Sequence, residues 1–270
     1  MSKSKSELLS KAVRIDVLNM INHGHGAHIG SAFSIADIIP VLYISVLKFD
    51  VKNPDSPSRD IFILSKGHAG ATLYATLAEI GFFEKSILMT YEDDGSLLCG
   101  HVTKHNVPGV EVSTGSLGHG ASIAAGYAHA FKMDGKKNHV YCLIGDGESE
   151  EGEIWEMAMY SAHYQLDNLT IIIDSNKQQA LGNVDEIMSF SKNQNKRWES
   201  FGFDVVEIDG HNHQEIKKAL LHRSSGKPVA IIANTIKGKG VSFMEDSLLW
   251  HYKNPDGEFY LKALEELKKD

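Results

Sequence analysis

Cysteine occurs at only two positions in the 270 residues, Cys99 and Cys142, which excludes a disulfide framework and an all-cysteine zinc site. Proline is scarce, 6 in all, and no Pro- or Ser-rich stretch marks a linker. Long apolar runs are missing too: the best, over 38–47, is about half of the ~20 residues that a spanning helix needs. Two uncharged stretches, 17–36 and 112–131, are long enough but are interrupted by Gly, Ser and His. The N-terminus carries lysines without the apolar core of a signal peptide, so the expected location is cytoplasmic. Nor is there a basic excess. Lys and Arg number 27 against 35 Asp and Glu, and the net charge of −8 argues against a nucleic-acid or membrane-surface partner.

What is present is the balance of a soluble globular chain, with 42% hydrophobic and 23% charged residues. Histidine stands out at 14 residues, several of them beside glycine. Without a repeat or linker we read one domain, from about Ser6 to the end. Residues 6–22 have helical periodicity, with Leu9, Val13 and Met20 near one face and Ser6 as the expected N-cap. Ser34 is expected to cap a second helix running to residue 47, either kinked at Pro40 or beginning at residue 39. A short apolar run over 61–64 leads into Ser65-Lys66-Gly67-His68 and a helical pattern to residue 80. Strands over 140–144, 169–174, 204–208 and 228–233 then alternate with helices over 150–165, 193–201, 214–222 and 258–268. This alternation predicts an α/β fold with a central, mostly parallel sheet and helices on both faces. In such folds the ligand lies beyond the carboxyl ends of the strands.

The strand over 140–144 runs into Gly145-Asp146-Gly147, with a helix following. Glycines at this kind of turn let a diphosphate approach the backbone near the positive end of a helix dipole. Yet Asp146, Glu148, Glu150 and Glu151 would repel a bare phosphate, and Glu150 stands where a dinucleotide fingerprint needs its third glycine. A hard cation held by Asp146 and bridging to the diphosphate removes the conflict. Magnesium suits this role, because it takes one or two protein oxygens together with phosphates and water. Taken alone, Gly-Asp-Gly is more often a plain turn. The next strand ends at Asp174-Ser175-Asn176, about 30 residues further on, a span that fits a helical crossover to a neighbouring parallel strand. Asp146 and Asn176 would then offer oxygens to one ion.

Gly-Asp-Gly followed at this interval by Asn resembles the thiamine diphosphate motif, and the chain as a whole resembles the N-terminal, diphosphate-binding half of a transketolase. The resemblance is carried, in family order, by Ala27-His28-Ile29-Gly30, Leu64-Ser65-Lys66-Gly67-His68-Ala69, Gly100-His101 and the segment 110–118. Asp209-Gly210-His211, Thr235-Ile236-Lys237-Gly238-Lys239-Gly240 and Trp250-His251 complete it, so that it covers residues 7–263. It implies that Asp146, Asn176 and the backbone oxygen of Gln178 hold magnesium or another divalent cation. Gly145, Gly147 and His68 would contact the diphosphate, and the backbone around Gly115, Ser116 and Leu117 would face the aminopyrimidine. His28, His101 and His251 would line the substrate channel, where neutral imidazoles can move protons. Glu151 and Glu156 match acidic positions that link paired active sites. Four positions depart from the family pattern: Ile29 and Val102 stand where proline is usual, His119 replaces a glutamine, and Ser175 replaces an asparagine.

The remaining histidines have plainer readings. His23, His25 and His28 mimic metal-site spacing, but no carboxylate follows close by, so His23 and His25 are expected in loops. His105, His129, His163, His213 and His222 are expected on the surface or in packing, and Lys66 is either a surface charge or a cofactor-side group.

The match is closest to transketolases split between two polypeptides. It implies transfer of a two-carbon ketol unit from a ketose, usually a sugar phosphate, to an aldose through thiamine diphosphate. The pyrimidine-binding and C-terminal domains, with the glutamate that activates the cofactor, would lie on a C-terminal transketolase subunit, in an assembly of two copies of each chain. Two alternatives compete with this reading. The α subunit of a 2-oxo acid dehydrogenase shares the Gly-Asp-Gly…Asn element but not the motifs around Ser65–His68, Thr114–Gly118 and Trp250-His251. A non-catalytic nucleotide-binding module is disfavoured by the acidic loop.

Overall fold

The computed structural model describes residues 3–189 and 192–269. Ten helices in chain order are α1 (Lys5–His23), α2 (Ile29–Ser34), α3 (Ile38–Ser45), α4 (Gly70–Glu79), α5 (His119–Met133), α6 (Gly152–His163), α7 (Val184–Ile187), α8 (Gln194–Ser200), α9 (His213–Leu220) and α10 (Gly257–Lys269) among the described residues. Five strands, β1 (Ile61–Leu64), β2 (Val140–Gly145), β3 (Leu169–Ser175), β4 (Asp204–Asp209) and β5 (Val229–Asn234), form one sheet among these residues, in the order β1-β2-β3-β5-β4. Each pairing is parallel.

The parallel arrangement follows from the composition of the strands. Ile-Phe-Ile-Leu, Val-Tyr-Cys-Leu-Ile and Leu-Thr-Ile-Ile-Ile have no polar face to give to water, so both sides of the sheet must be covered. Phe62, Leu64, Tyr141, Leu143, Ile172 and Ile231 face a core built with α1, α3, α4 and α9. Their neighbours Ile63, Cys142, Ile144, Ile171, Ile173 and Ile232 face α5, α6 and α8 on the other side. In register, Gly145 lies beside Asp174 and Asp174 beside Ala233, so that the carboxyl ends of β2, β3 and β5 share one edge. No helix among the described residues is long and apolar enough to cross a membrane.

Several local expectations change. Ser4, not Ser6, caps α1: its hydroxyl accepts from the Glu7 amide, while the Glu7 carboxylate accepts from the Ser4 amide, a reciprocal capping box. Ser6 instead meets His213 at 2.9 Å. Ser34 begins no helix. It ends α2, and α3 starts separately at Ile38, so Pro40 sits in the first turn, where its missing N–H costs no hydrogen bond. Helix α5 lies in the uncharged stretch that Gly, Ser and His interrupt. Small residues there allow close contact, for Ala121, Ala124, Ala125 and Ala128 are buried, and a Cβ on Gly120 would lie 2.5 Å from Ser65 Oγ. The helix expected from residue 150 begins at Gly152, after a 3₁₀ turn at Gly147–Glu150.

Candidate active site

The turn after β2 places Asp146 beneath the surface, 3% exposed. Its two carboxylate oxygens accept from the backbone amides of Gly147 (2.8 Å) and Lys177 (2.5 Å). The second bond ties the β2 loop directly to the chain just past Asn176, which is the juxtaposition that the spacing predicted. Asn176 accepts from the Gln178 amide through Oδ1 (3.0 Å) and donates through Nδ2 to Asp174 (3.0 Å). The Oε1 atom of Gln178 is buried with no hydrogen-bond partner among the described residues, and its backbone oxygen accepts from Lys237 at 3.5 Å. Burial, and then the neighbouring Asp174 charge, push the Asp146 carboxyl up to about 7.

These groups line a cavity of about 470 Å³ that also receives Gly145, Gly147, Leu117, Lys66, Lys237, His68 and His251. Glu151 stands at its wall, at the start of α6, and makes no side-chain capping bond. Glu156, on the same helix, is exposed. Glu148 does not act as the bare charge expected in this loop. Its carboxylate accepts from Ser65 Oγ and from the amides of Gly118 (2.9 Å) and Gly145 (3.0 Å), so it joins the ends of β1 and β2 to the start of α5.

Four histidines from distant segments gather beside this cavity, with His68 and His251 in its lining. The His28 ring lies 5.2 Å from His68, 5.8 Å from His101 and 5.0 Å from His251, centroid to centroid. His28 takes a left-handed backbone (φ 68°), and its amide donates to the His251 carbonyl (2.7 Å), locking the two segments together. Burial, followed by the nearby lysine and histidine charges, lowers His28 to about 4 and His251 to about 3, and drives His68 well below its ordinary value. All three rings are therefore neutral near pH 7. Lys237 Nζ, a donor only, lies 2.8 Å from His251 Nδ1, which makes Nδ1 the acceptor and leaves the proton on Nε2. Gly115 packs against His101, since a Cβ there would lie 3.0 Å from Cδ2 of the ring, and Ser116 meets His119 at 3.3 Å.

Asp174 and Lys237 were not singled out from the sequence. Asp174 is fully buried at the end of β3 and accepts from Lys66 (2.5 Å), Ser34 (2.5 Å), Asn176 (3.0 Å) and Thr235. Burial alone would raise its pKa, but Lys66 and the hydroxyl donors more than reverse that. Lys66 is thus no surface charge. The signal for Lys237 was available, because it lies in the Thr235–Gly240 motif, but nothing in the spacing says that a lysine there turns inward. His23 ends α1 and pairs with Asp93 at 3.0 Å, while His213 joins His211 and Arg14 around the buried Asp37.

Comparisons with known proteins identify the family and the fold. Residues 5–252 match the family model described as "Transketolase, thiamine diphosphate binding domain". The chain is 44% identical over 273 residues to an apulose-4-phosphate transketolase subunit of Actinobacillus succinogenes, covering 100% of this chain and 98% of that protein. It is 43% identical to the 6-deoxy-6-sulfo-D-fructose transketolase subunit SqwG of a Clostridium species, over 90% of this chain and 89% of that one. Human transketolase is 37% identical over 89% of the chain, which spans 38% of the human protein. Among solved structures, Campylobacter jejuni transketolase superposes with a TM-score of 0.91 at 32% identity, over 99% of this chain and 43% of that one. A 2-oxo acid dehydrogenase subunit is not favoured by these matches. The chain belongs to the transketolase family of transferases and is its thiamine diphosphate-binding domain.

Proposed function

We propose that this chain is the diphosphate-binding subunit of a two-chain transketolase, moving a two-carbon ketol unit from a ketose to an aldose in the cytoplasm. The observation that carries this reading is the meeting of Asp146 with the Asn176–Gln178 segment at adjacent strand ends, below the histidine cluster. The donors offered there are a carboxylate, a side-chain amide and a backbone carbonyl, the hard oxygens that magnesium takes. A buried carboxyl near pKa 7 and the orphaned Gln178 Oε1 also fit a group that arrives with positive charge and polar atoms. Asp146, Asn176 and the Gln178 carbonyl would hold the ion. Gly145, Gly147, His68 and Lys237 would meet the diphosphate, with Gly115, Ser116 and Leu117 toward the aminopyrimidine. Bound there, thiamine diphosphate supplies a carbanion that the side chains of this chain cannot.

The chain's own residues would orient and exchange protons. His251, neutral with its proton on Nε2, can donate to a sugar oxygen, and the neutral His28 ring, with His101 beside it, can accept or relay. Glu151 would connect the two active sites of the assembly. The relatives that are themselves named as transketolase subunits, and that this chain matches over nearly their whole length, imply a partner chain. That partner would bring the pyrimidine-binding and C-terminal domains, and the assembly would hold two copies of each chain. The substrates would be sugars or sugar phosphates, with no nucleic-acid or membrane partner. The test is to purify this chain, assay it with thiamine diphosphate, magnesium and a panel of ketoses, and repeat after adding the product of the adjacent reading frame. Activity appearing only on mixing supports the proposal. Robust turnover by the lone chain, or none with any sugar in the mixture, overturns it.

A further inference from the structure

Glu92 has a geometry that the ketol-transfer reading leaves without a role. It holds a left-handed backbone (φ 60°), a strained choice for a glutamate, and it lies two residues upstream of the Asp94-Gly95 turn. Its carboxylate is wedged between two glycines: a Cβ on Gly26 would lie 2.7 Å from Oε2, and a Cβ on Gly100 would collide with Oε1. These glycines stand two residues before His28 and immediately before His101, whose rings lie 5.8 Å apart. Burial raises the Glu92 carboxyl, and the described residues give it no hydrogen-bond or ion-pair partner. The channel groups also follow an order of exposure. His251 is buried, His28 and His68 are half-buried, and His101 and Glu92 are exposed. Exposed, and set against the glycines beside His28 and His101, Glu92 lies on the solvent side of these residues. Its neighbours there are Asp93, paired with His23, Asp94 and the exposed His25, so that side carries little positive charge.

Resting on the function proposed above, we infer that Glu92 is a specificity-determining residue: it accepts hydrogen bonds from hydroxyls on the non-reacting end of the sugar and disfavours an anionic group there. The two glycines are the space that admits this carboxylate. A carboxylate accepts through two oxygens and donates none, so a hydroxyl is matched to it and a phosphate or sulfonate is opposed by its charge.

The test uses the active two-chain enzyme and two donors, a pentulose and the same sugar as its terminal phosphate ester. Glu92→Gln keeps the shape and removes the charge, and Glu92→Gly removes the side chain and relieves the backbone. Both should raise the ratio of kcat/KM for the phosphate ester over that for the free sugar by about fivefold, mainly through KM, with an unchanged Kd for thiamine diphosphate. Glu92→Gly should also lose turnover of the free sugar, while Glu92→Gln loses less. An unchanged ratio in both variants, or an altered cofactor Kd, would overturn the inference. Failure of the unsubstituted enzyme to use either donor would instead remove the function on which it rests.

Discussion

Lys66 Nζ lies 2.5 Å from Oδ2 of Asp174, and both side chains are withdrawn from water. The pair sits below the Gly-Asp-Gly loop, because Asp174 is in register with Gly145. A buried charge pair is weak evidence for stability when compared with apolar residues, but breaking one is costly, since the survivor is left unpaired. Here the survivor would be a carboxylate next to Asp146, in the place where a diphosphate site can least tolerate further negative charge.

Lys66→Met should therefore destabilise the chain by about 3–5 kcal/mol, although Ser34, Thr235 and Asn176 still donate to Asp174. Denaturant unfolding of the isolated chain measures this. A loss within experimental error would mean that Asp174 is neutral in the folded state.

Asp146 separates cofactor binding from folding. Its oxygens satisfy two backbone amides, so Asp146→Ala should cost about 1–3 kcal/mol of stability as well as the cofactor. Asp146→Asn retains one acceptor oxygen and should fold more nearly as the parent does, yet lose magnesium-supported binding of thiamine diphosphate. Calorimetric titration at saturating magnesium, with the partner chain present, distinguishes the two. Equal cofactor affinity in Asp146→Asn and the parent would place the ion elsewhere.

His101→Ala and His251→Ala should differ. Both remove an imidazole from the proposed substrate channel, and loss of a positioned proton-transfer group costs about 10²–10⁴-fold in turnover. His251 is also the acceptor for Lys237, which lines the cavity proposed to take the diphosphate, so its removal should weaken the cofactor too. His101→Ala should leave cofactor affinity close to the parent value. Comparing kcat with the cofactor Kd in each variant checks this, and a His101→Ala enzyme that loses the cofactor but not turnover would contradict it.

Asp16 should make stability depend on pH away from the site. Burial, and then the adjacent Glu79, raise its carboxyl from 3.8 to about 6, against the opposing pull of Lys85 at 2.9 Å. For an acid whose pKa is higher in the folded state, stability is greatest when the group is protonated in both states. It declines as pH rises from the unfolded value through the folded one, here from about 4 to 6. Asp16→Asn should remove this slope and gain about 1 kcal/mol near pH 7, with little gain near pH 4, after allowance for screening at the half-exposed Lys85. Thermal unfolding across this range reads the difference, and parallel curves for the two proteins would show that Asp16 titrates normally.

The elements whose order could be read from the chain are those that repeat a local pattern. Strands β2 and β3 are unbroken apolar runs, and an apolar run of that length has to be buried on both sides. Asp146 and Asn176 follow from them, since each stands at the end of such a strand and the crossover length makes the strands neighbours. The family motifs likewise brought His28, His68, His101 and His251 to one site, and the rings do lie together. Where the local pattern is ambiguous, the reading slipped by a few residues: Ser6 for Ser4 at α1, and Ser34 as the start of one helix rather than the end of another. Lys66, Asp174, Lys237 and Glu92 belong to a different class. The charge of each is plain in the sequence, but whether a charge is buried, paired or left without a partner depends on groups far away along the chain, more than a hundred residues in the case of Lys66 and Asp174. No periodicity encodes such a meeting, and only packing of the sheet, the α2 turn and the Gly-rich loops against one another brings these charges into one small space.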